Sequence, residues 1–578
     1  MPPQLPPGVR IQQHSPSHRA LHATSPFQPG DIIATFSDPL LALPDGATMR
    51  TTCNYCLKVP SPPSPPNARS QQQQQQHNQT SDKKKQDQPP QLRACTACKA
   101  AVYCDQACQR AHWKAIHKAE CKMFTRIREQ AGKEWLPTPV RAVAQVLMRL
   151  KGGDKQVLEA FGNEGEGRLR GNVDQFQQYE VAWKDIELQA AAAVVYAGLL
   201  EKEETLVQAR EVLCKIQTNA FNRSDADTGM GGIFLDPGLA MVNHSCVPNA
   251  FIGFDRRTAT LRAERPIEEG DEITISYIDY TLPRAQRHEA LKQYHFQCEC
   301  SRCKDDLDVY DVCQNSPTLS LNAFSIQPDL EKLRNPSVDR SKVTKSEIEA
   351  IYKKWQSLET PDGENEEDRQ LKLAKSRWEL CRPLVSAGMW AVEPLPATIL
   401  ALATSWQTSY KMIVYALPLL CFLATECDPV KYVAPFTPWR VKGLVAIAKV
   451  MAVTAEFTAS GALATRCAHE GIVGTLATAD QVTICEALLR LAVHHGKVGA
   501  AEEWEVLKEA EAMLEDLESL KGRERESGLV RAWAKDPEGD PESAAFVETQ
   551  VIKKIKTLAS FAVEGLEAML AGKIPVKS

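Results

Sequence analysis

The sequence predicts an α+β chain, with short strand-like segments gathered in the first half and helices filling the second. Two patterns carry this. Short apolar alternations bounded by Gly, Pro and Asp recur between residues 19 and 303, as in GDEITISYIDY (270–280). Beyond residue 303 the apolar residues fall at helical spacing, as in 441–457 and 481–495. A third observation is the cysteine content: 18 in 578 residues, most of them clustered at metal-ligand spacings.

A chain of 578 residues exceeds what one core organises, so several domains are expected. Its formal net charge of -5 gives no global case for nucleic-acid binding. The opening MPPQLPPGVRIQQH has no apolar run after a basic start, so no secretory signal is expected. The most apolar segment, 412–425, reads as too short to span a bilayer; it contains Pro418, has charged flanks at Lys411 and Glu426, and is expected to be a buried helix. Cysteines spaced for metal rather than scattered as a disulfide framework point to a reducing compartment, cytosol or nucleus.

In chain order, 19–36 reads as two short strands around a turn at Pro29-Gly30-Asp31. Eight candidate ligands follow: Cys53-x2-Cys56, Cys95-x2-Cys98, Cys104-x3-Cys108 and His117-x3-Cys121. Two intervening residues let both thiolates reach one tetrahedral ion, and an i, i+4 pair does so from one helix face. Eight ligands make two closed four-coordinate sites, which suits structural zinc; His112 competes with His117 but at a poorer spacing. Between Cys56 and Cys95, the run PSPPSPPNARSQQQQQQHNQTSDKKKQDQPP (60–90) is of low complexity and reads as an extruded disordered loop. Loop closure adds only about 0.6 kcal/mol per doubling of length, so the finger tolerates it. Its Lys83-Lys84-Lys85 reads as a solvated charge run or an import signal.

The end of the cysteine block is basic, with Arg110, Lys114, Lys118, Lys122, Arg126 and Arg128, and Trp113 reads as finger core. A peptide-docking surface, a nucleic-acid patch and a solvated face all fit those charges. Residues 140–217 read as helical, broken at Gly152-Gly153 and in the 162–171 loop, and Ile233-Phe234-Leu235 reads as a strand. Glu272 and Asp271 read as turn residues. After residue 303, 316–340 is loop-like, 359–369 (ETPDGENEEDR) is an acidic linker, and helices are expected at 371–385, 441–457, 481–495 and 500–520. Cys421, Cys427 and Cys485 read as buried, and His494-His495 lacks spaced partners for a metal site.

Three stretches belong together. LDPGLAMVNHSCVPN (235–249), the tyrosine within GDEITISYIDY, and QYHFQCECSRC (293–303) resemble the catalytic core of SET-domain lysine methyltransferases. With the cysteine block upstream, the chain resembles the SET-and-MYND-domain (SMYD) family. The resemblance implies a β-rich SET core interrupted by a MYND zinc finger and a helical insertion, followed by an all-helical C-terminal domain. The implied boundaries are an N-terminal SET segment at 1–52, a finger at 53–121 with its insertion at 57–94, and a helical insertion at 122–218. A catalytic core at 219–297, a post-SET zinc segment at 298–303 and the helical domain at 304–578 complete the set.

By the same resemblance Cys53, Cys56, Cys104 and Cys108 hold one zinc ion, and Cys95, Cys98, His117 and Cys121 a second. Cys246, Cys298, Cys300 and Cys303 hold a third, giving three per chain. S-adenosylmethionine is the implied cofactor, bound by Asn243, His244 and the adenine-stacking Phe296, with Asn219 at the cofactor or channel rim. Tyr277 is the implied catalytic residue and also touches the cofactor, and Tyr294 walls the substrate channel. The family's Gly-x-Gly falls on His18-Arg19-Ala20, so a Cβ stands where the backbone is expected to approach the cofactor closely.

Methyl transfer to a lysine needs no metal or covalent nucleophile, only alignment and a neutral amine. Neutralising a lysine of pKa about 10.4 near pH 7 costs roughly 4.6 kcal/mol, which an aromatic channel would reduce. The expected function is therefore S-adenosylmethionine-dependent protein-lysine methylation by a monomer, in nucleus or cytoplasm, with no membrane association. Its partners are a protein substrate with a target lysine and proline-rich peptides at the finger. The competing reading is a partner-binding scaffold or transcriptional regulator whose SET core no longer turns over.

Overall fold

The computed structural model describes residues 5–15, 18–60, 92–132, 135–162, 168–225, 229–363, 366–409, 412–499 and 504–572. The expectations for 61–91 and for the His18 side chain lie outside what is described.

Twelve strands are found among these residues: β1 (Val9–Ser15), β2 (His18–Ala23), β3 (Ile32–Phe36), β4 (Leu41–Leu43), β5 (Arg93–Ala94) and β6 (Val102–Tyr103), then β7 (Phe221–Asp225), β8 (Gly229–Leu235), β9 (Asn243–His244), β10 (Ala250–Asp255), β11 (Thr258–Ala263) and β12 (Thr274–Ile275). They form small sheets ordered β1-β2, β10-β11-β3, β12-β9, β4-β8-β7 and β5-β6. The two strands expected around Pro29-Gly30 exist but do not pair with each other. β2 pairs antiparallel with β1, which sequence patterning missed. Its other edge receives the Ile273 N–H at the Leu21 carbonyl, 2.8 Å away. The reason is burial: Ala20, Leu21 and Ala23 are fully enclosed, so β2 is an interior strand needing partners on both sides.

The chain divides into two compact units. The first comprises residues 1–6, 35–241 and 254–259, and the second residues 7–34, 242–253 and 260–578. In the first unit, β5, β6 and the helix Gln106–His112 lead through a π-helical turn, Trp113–His117, into the helix Lys118–Ala131. The expected helical stretch becomes Thr138–Lys151, Lys155–Phe161, Val173–Gln177, Glu180–Ala197 and Glu203–Asn219. Asp154 caps the second of these by accepting from the Val157 N–H.

In the second unit the long helices Pro438–Ala459 and Gln481–Gly499 pack along each other, and Ile413–Phe422 packs on Leu395–Thr408, Pro438–Ala459 and Lys553–Ser560. The expected 371–385 helix is two, Glu366–Leu380 and Arg382–Ser386, so the acidic linker at 359–369 already turns helical at Glu366. The loop-like 316–340 contains the short turns Leu319–Ala323 and Leu330–Arg334.

The apolar segment expected to be too short for a bilayer runs on as helix from Ile413 to Lys431, 19 residues, which by length and composition could cross one. Its apolar window is 83% buried inside the protein, as suits a core helix. Of the two flanking charges in the sequence, Lys411 lies outside the described residues and Glu426 accepts from Lys332 at 2.7 Å; further along, Lys431 at the helix end donates to Glu393.

Candidate active site and metal centres

Three groups of four ligand atoms gather in the described residues, each within 4.8 Å of one another: Cys53, Cys56, Cys104 and Cys108; Cys95, Cys98, His117 and Cys121; Cys246, Cys298, Cys300 and Cys303. Sulfur–sulfur distances are 3.6 Å for Cys56–Cys104, 3.8 Å for Cys95–Cys121, and 3.9 and 3.6 Å from Cys246 to Cys298 and Cys303. Zinc–sulfur bonds of about 2.3 Å in a tetrahedron set that edge near 3.8 Å, so the residues fit zinc. Each C-x2-C pair of the finger turns back the same way. Leu57 and Lys99 adopt left-handed backbone (φ 65 and 61°) and return their N–H groups to the carbonyls of Cys53 and Cys95.

His112 stays out of the four-ligand sets. It stacks on His117 (5.1 Å between ring centres, 22°), and its Nδ1 lies 3.0 Å from the Tyr103 hydroxyl. Trp113, expected in the finger core, is 44% exposed and sets only an edge against His117, because the helix turns its face outward there. Three of the six basic residues hydrogen-bond within the protein: Arg110 donates to the Gln106 side chain, Arg126 to the Tyr196 carbonyl and Arg128 to that of Cys98.

In the second unit, β9 and β12 lie parallel, Asn243 against Thr274 and His244 against Ile275. β12 is only two residues long, and Tyr277 falls just past it. Asn249 fixes this approach by accepting from the Thr274 N–H (2.8 Å) and donating to the Glu272 carbonyl (2.9 Å). The rings of His244, Tyr277, Tyr294 and Phe296 then converge. Tyr277 lies 5.0 Å from Tyr294, 5.3 Å from His244 and 6.3 Å from Phe296, which it meets edge-on. Phe296 keeps 39% of its surface open, leaving a face on which a flat group can stack. Leu291, Cys246, Cys298 and Cys303 form the buried base against which Tyr277, Ile278 and Tyr294 pack.

Hydrogen bonds define what each side chain can do. The Tyr277 hydroxyl donates to the Val242 carbonyl at 2.6 Å, which leaves its oxygen lone pairs as the free polar feature. Burial, with Tyr294 and Glu272 adding, pushes this phenol above its usual range and keeps it protonated. His244 Nδ1 accepts from the Tyr277 N–H (3.0 Å), so Nε2 carries the proton and donates it to Cys246 Sγ (3.3 Å). Burial lowers this imidazole to about 4. Both nitrogens are thereby committed, and His244 offers a bound molecule its backbone rather than its ring.

Asn243 likewise spends its amide on the Arg19 carbonyl (3.0 Å) and Glu272 (2.8 Å), tying β2 to β9. Glu272 is therefore a fastening as well as a turn residue. Asn219 gives its amide to the carbonyls of Arg170 (2.7 Å) and Lys215 (2.7 Å), and within its own unit acts as a helix-end clasp. Ala20 is fully buried in β2 opposite Gln12.

Sequence reasoning missed Arg287 and Glu264. Arg287, buried on the helix Arg284–Leu291, points a guanidinium nitrogen at Cys303 Sγ (3.7 Å), where it offsets thiolate charge. Glu264 is a buried carboxyl met by the Tyr280 hydroxyl at 3.4 Å, and burial raises it to about 7. Neither carries a motif signal, since only packing buries them. Among the described residues His494 and His495 lie in no ligand group; His495 hydrogen-bonds the Phe324 carbonyl.

Residues 18–278 match the family model of the SET domain. Among curated proteins the chain is 28% identical over 296 residues to a histone-lysine N-methyltransferase of Arabidopsis thaliana, ASHR1 (51% of this chain, 54% of that protein). It is 33% identical over 223 residues to SET domain and MYND-type zinc finger protein 6 of Schizosaccharomyces pombe (38% and 42%). It is 28% identical over 313 residues to human histone-lysine N-methyltransferase SMYD3 (51% and 62%). The chain thus spans about half the length of the curated relatives it matches. Its likeness to the SET domain lies in residues 18–278, and two of these three relatives carry SET-and-MYND-type names.

Proposed function

We propose that this SET-domain chain is a protein-lysine N-methyltransferase using S-adenosylmethionine. The observation that carries the reading is the convergence of His244, Tyr277, Tyr294 and Phe296 against the four-cysteine group. When bound, S-adenosylmethionine would supply an electrophilic methyl carbon to which the neutral lysine nitrogen bonds as the carbon–sulfur bond breaks and the thioether leaves.

The chain's own residues supply position and environment. Phe296 offers the stacking face, 5.9 Å from the His244 ring, and the Asn243 clasp joins the Arg19 backbone to the Asn243–His244 strand. Tyr277 presents acceptor lone pairs, which hold an amine N–H in line and favour the partial positive charge that develops on nitrogen. The rings of Tyr277 and Tyr294 exclude water and so disfavour the ammonium form of an entering lysine.

Zinc at Cys246, Cys298, Cys300 and Cys303 would clamp the segment bearing Tyr294 and Phe296 to the loop bearing His244 without entering the chemistry. With the two finger groups this makes three ions per chain, and the free, clustered thiols suit a reducing compartment. The substrate is a protein lysine. The test is incubation of purified protein with methyl-labelled cofactor and a cell extract. Label recovered as methyllysine is expected; no transfer together with no calorimetric cofactor binding favours the scaffold reading.

A further inference from the structure

Glu120 is a fully buried carboxylate between two ligands of the second finger group, His117 and Cys121. Its Oε2 lies 3.2 Å from His117 Nδ1. That contact places the histidine proton on Nδ1 and leaves Nε2 bare, on the side facing Cys98 Sγ 3.7 Å away. A metal needs this tautomer. Glu120 is itself held from outside the ligand block. Arg141 donates to both carboxylate oxygens, Nε to Oε1 at 2.6 Å and Nη2 to Oε2 at 3.1 Å, and Gln145 donates to Oε1 at 2.8 Å. Arg141 and Gln145 are one turn apart on the helix Thr138–Lys151, and both are buried.

We propose that Glu120 is the positioning residue that fixes His117 as a metal ligand, and that Arg141 and Gln145 make finger metal retention depend on the helix Thr138–Lys151. This rests on reading Cys95, Cys98, His117 and Cys121 as a zinc site. A carboxylate behind a ligating histidine orients the ring and raises its basicity, and losing such a partner costs about 10- to 100-fold in metal affinity. The alternative role is structural, with Glu120 serving only as counter-ion to a buried Arg141.

The experiment uses the full chain. Zinc content is measured by elemental analysis, and zinc release is followed with a chelating dye. Glu120→Gln, which is isosteric, is expected to release one ion about 10-fold faster or more, with the remaining zinc released at the parental rate. Arg141→Met acts in the same direction from 20 residues beyond the last ligand. The double variant Glu120→Gln/Arg141→Met leaves no unpaired buried charge, so its melting temperature recovers while zinc release stays fast. Parental zinc release from the double variant would reduce Glu120 to a counter-ion and overturn the proposal. A parent whose finger holds no zinc overturns the metal reading and this proposal with it. A loaded finger indifferent to Glu120 and Arg141 overturns the proposal alone.

Discussion

In the finger, the group behind the candidate metal ligands is a buried carboxylate, Glu120, locked to Arg141; in the core it is a neutral imidazole, His244, which leads from Cys246 Sγ to the backbone of Tyr277. Four candidate ligands are linked in one case to a supporting helix and in the other to the aromatic cluster around Tyr277. The two regions also treat a buried glutamate differently. Glu120 meets a guanidinium and stays ionised, whereas Glu264 meets a tyrosine hydroxyl and is raised to about 7. The two four-residue groups are thus alike in their sulfur-rich side chains and differ in the hydrogen bonds around them.

The largest expected effect separates the two centres. Cys300→Ser should empty the core site and lower methyl transfer about 100-fold, with cofactor binding weakened alongside. Cys98→Ser should empty a finger site and leave cofactor affinity near the parent's. Elemental analysis with calorimetry checks both, and normal cofactor binding by Cys300→Ser would erase the distinction between the centres.

Tyr277→Phe keeps the ring stack and removes the hydroxyl that meets Val242. Turnover should fall about 10²-fold with cofactor affinity nearly unchanged, while the lost hydrogen bond costs about 1 kcal/mol of stability. Equal single-turnover rates in parent and variant would remove Tyr277 from the reaction.

Glu264 gives the core a pH signature. Its folded pKa lies above the unfolded value, so the folded state holds the extra proton. Its contribution is fully present below pH about 4.5 and is lost as pH rises towards 7. The span is worth about 3 kcal/mol. Glu264→Gln should flatten this part of the stability–pH curve, as read by denaturant titration from pH 4 to 8; an unchanged slope would show that Glu264 ionises freely. The smallest effect is at Ala20. Ala20→Gly should bind S-adenosylmethionine at least as well as the parent while costing about 0.5–1 kcal/mol of strand stability. Weaker binding by the glycine variant would show that the Cβ contributes to the cofactor site.

The ligand groups were legible because C-x2-C and C-x3-C spacing constrains geometry locally, and the helices because their apolar period is also local. The pairing of β2 was not legible, since its partners are β1 and residues 271–273, and nothing within 19–36 reports which edge is covered. Trp113 misled because an aromatic residue beside ligands reads as core, yet which face of a helix is covered depends on what packs there. The length of the helix ending at Lys431 misled for a related reason: its charged end is matched by residues far away in sequence.

The sequence by itself determined the chemistry available: twelve candidate ligand side chains, three aromatic rings near one another in order, and an Asn-His pair before a cysteine. Tertiary structure decided how that chemistry is oriented. It turned the Tyr277 hydroxyl to the Val242 carbonyl, spent both nitrogens of His244, and gave the Asn243 amide to Arg19, 224 residues away. It also paired Glu120 with Arg141 and Glu264 with the Tyr280 hydroxyl. The physical reason is that a buried polar group must find its hydrogen-bond partner wherever packing places one, and packing is a property of the whole fold rather than of any window of sequence.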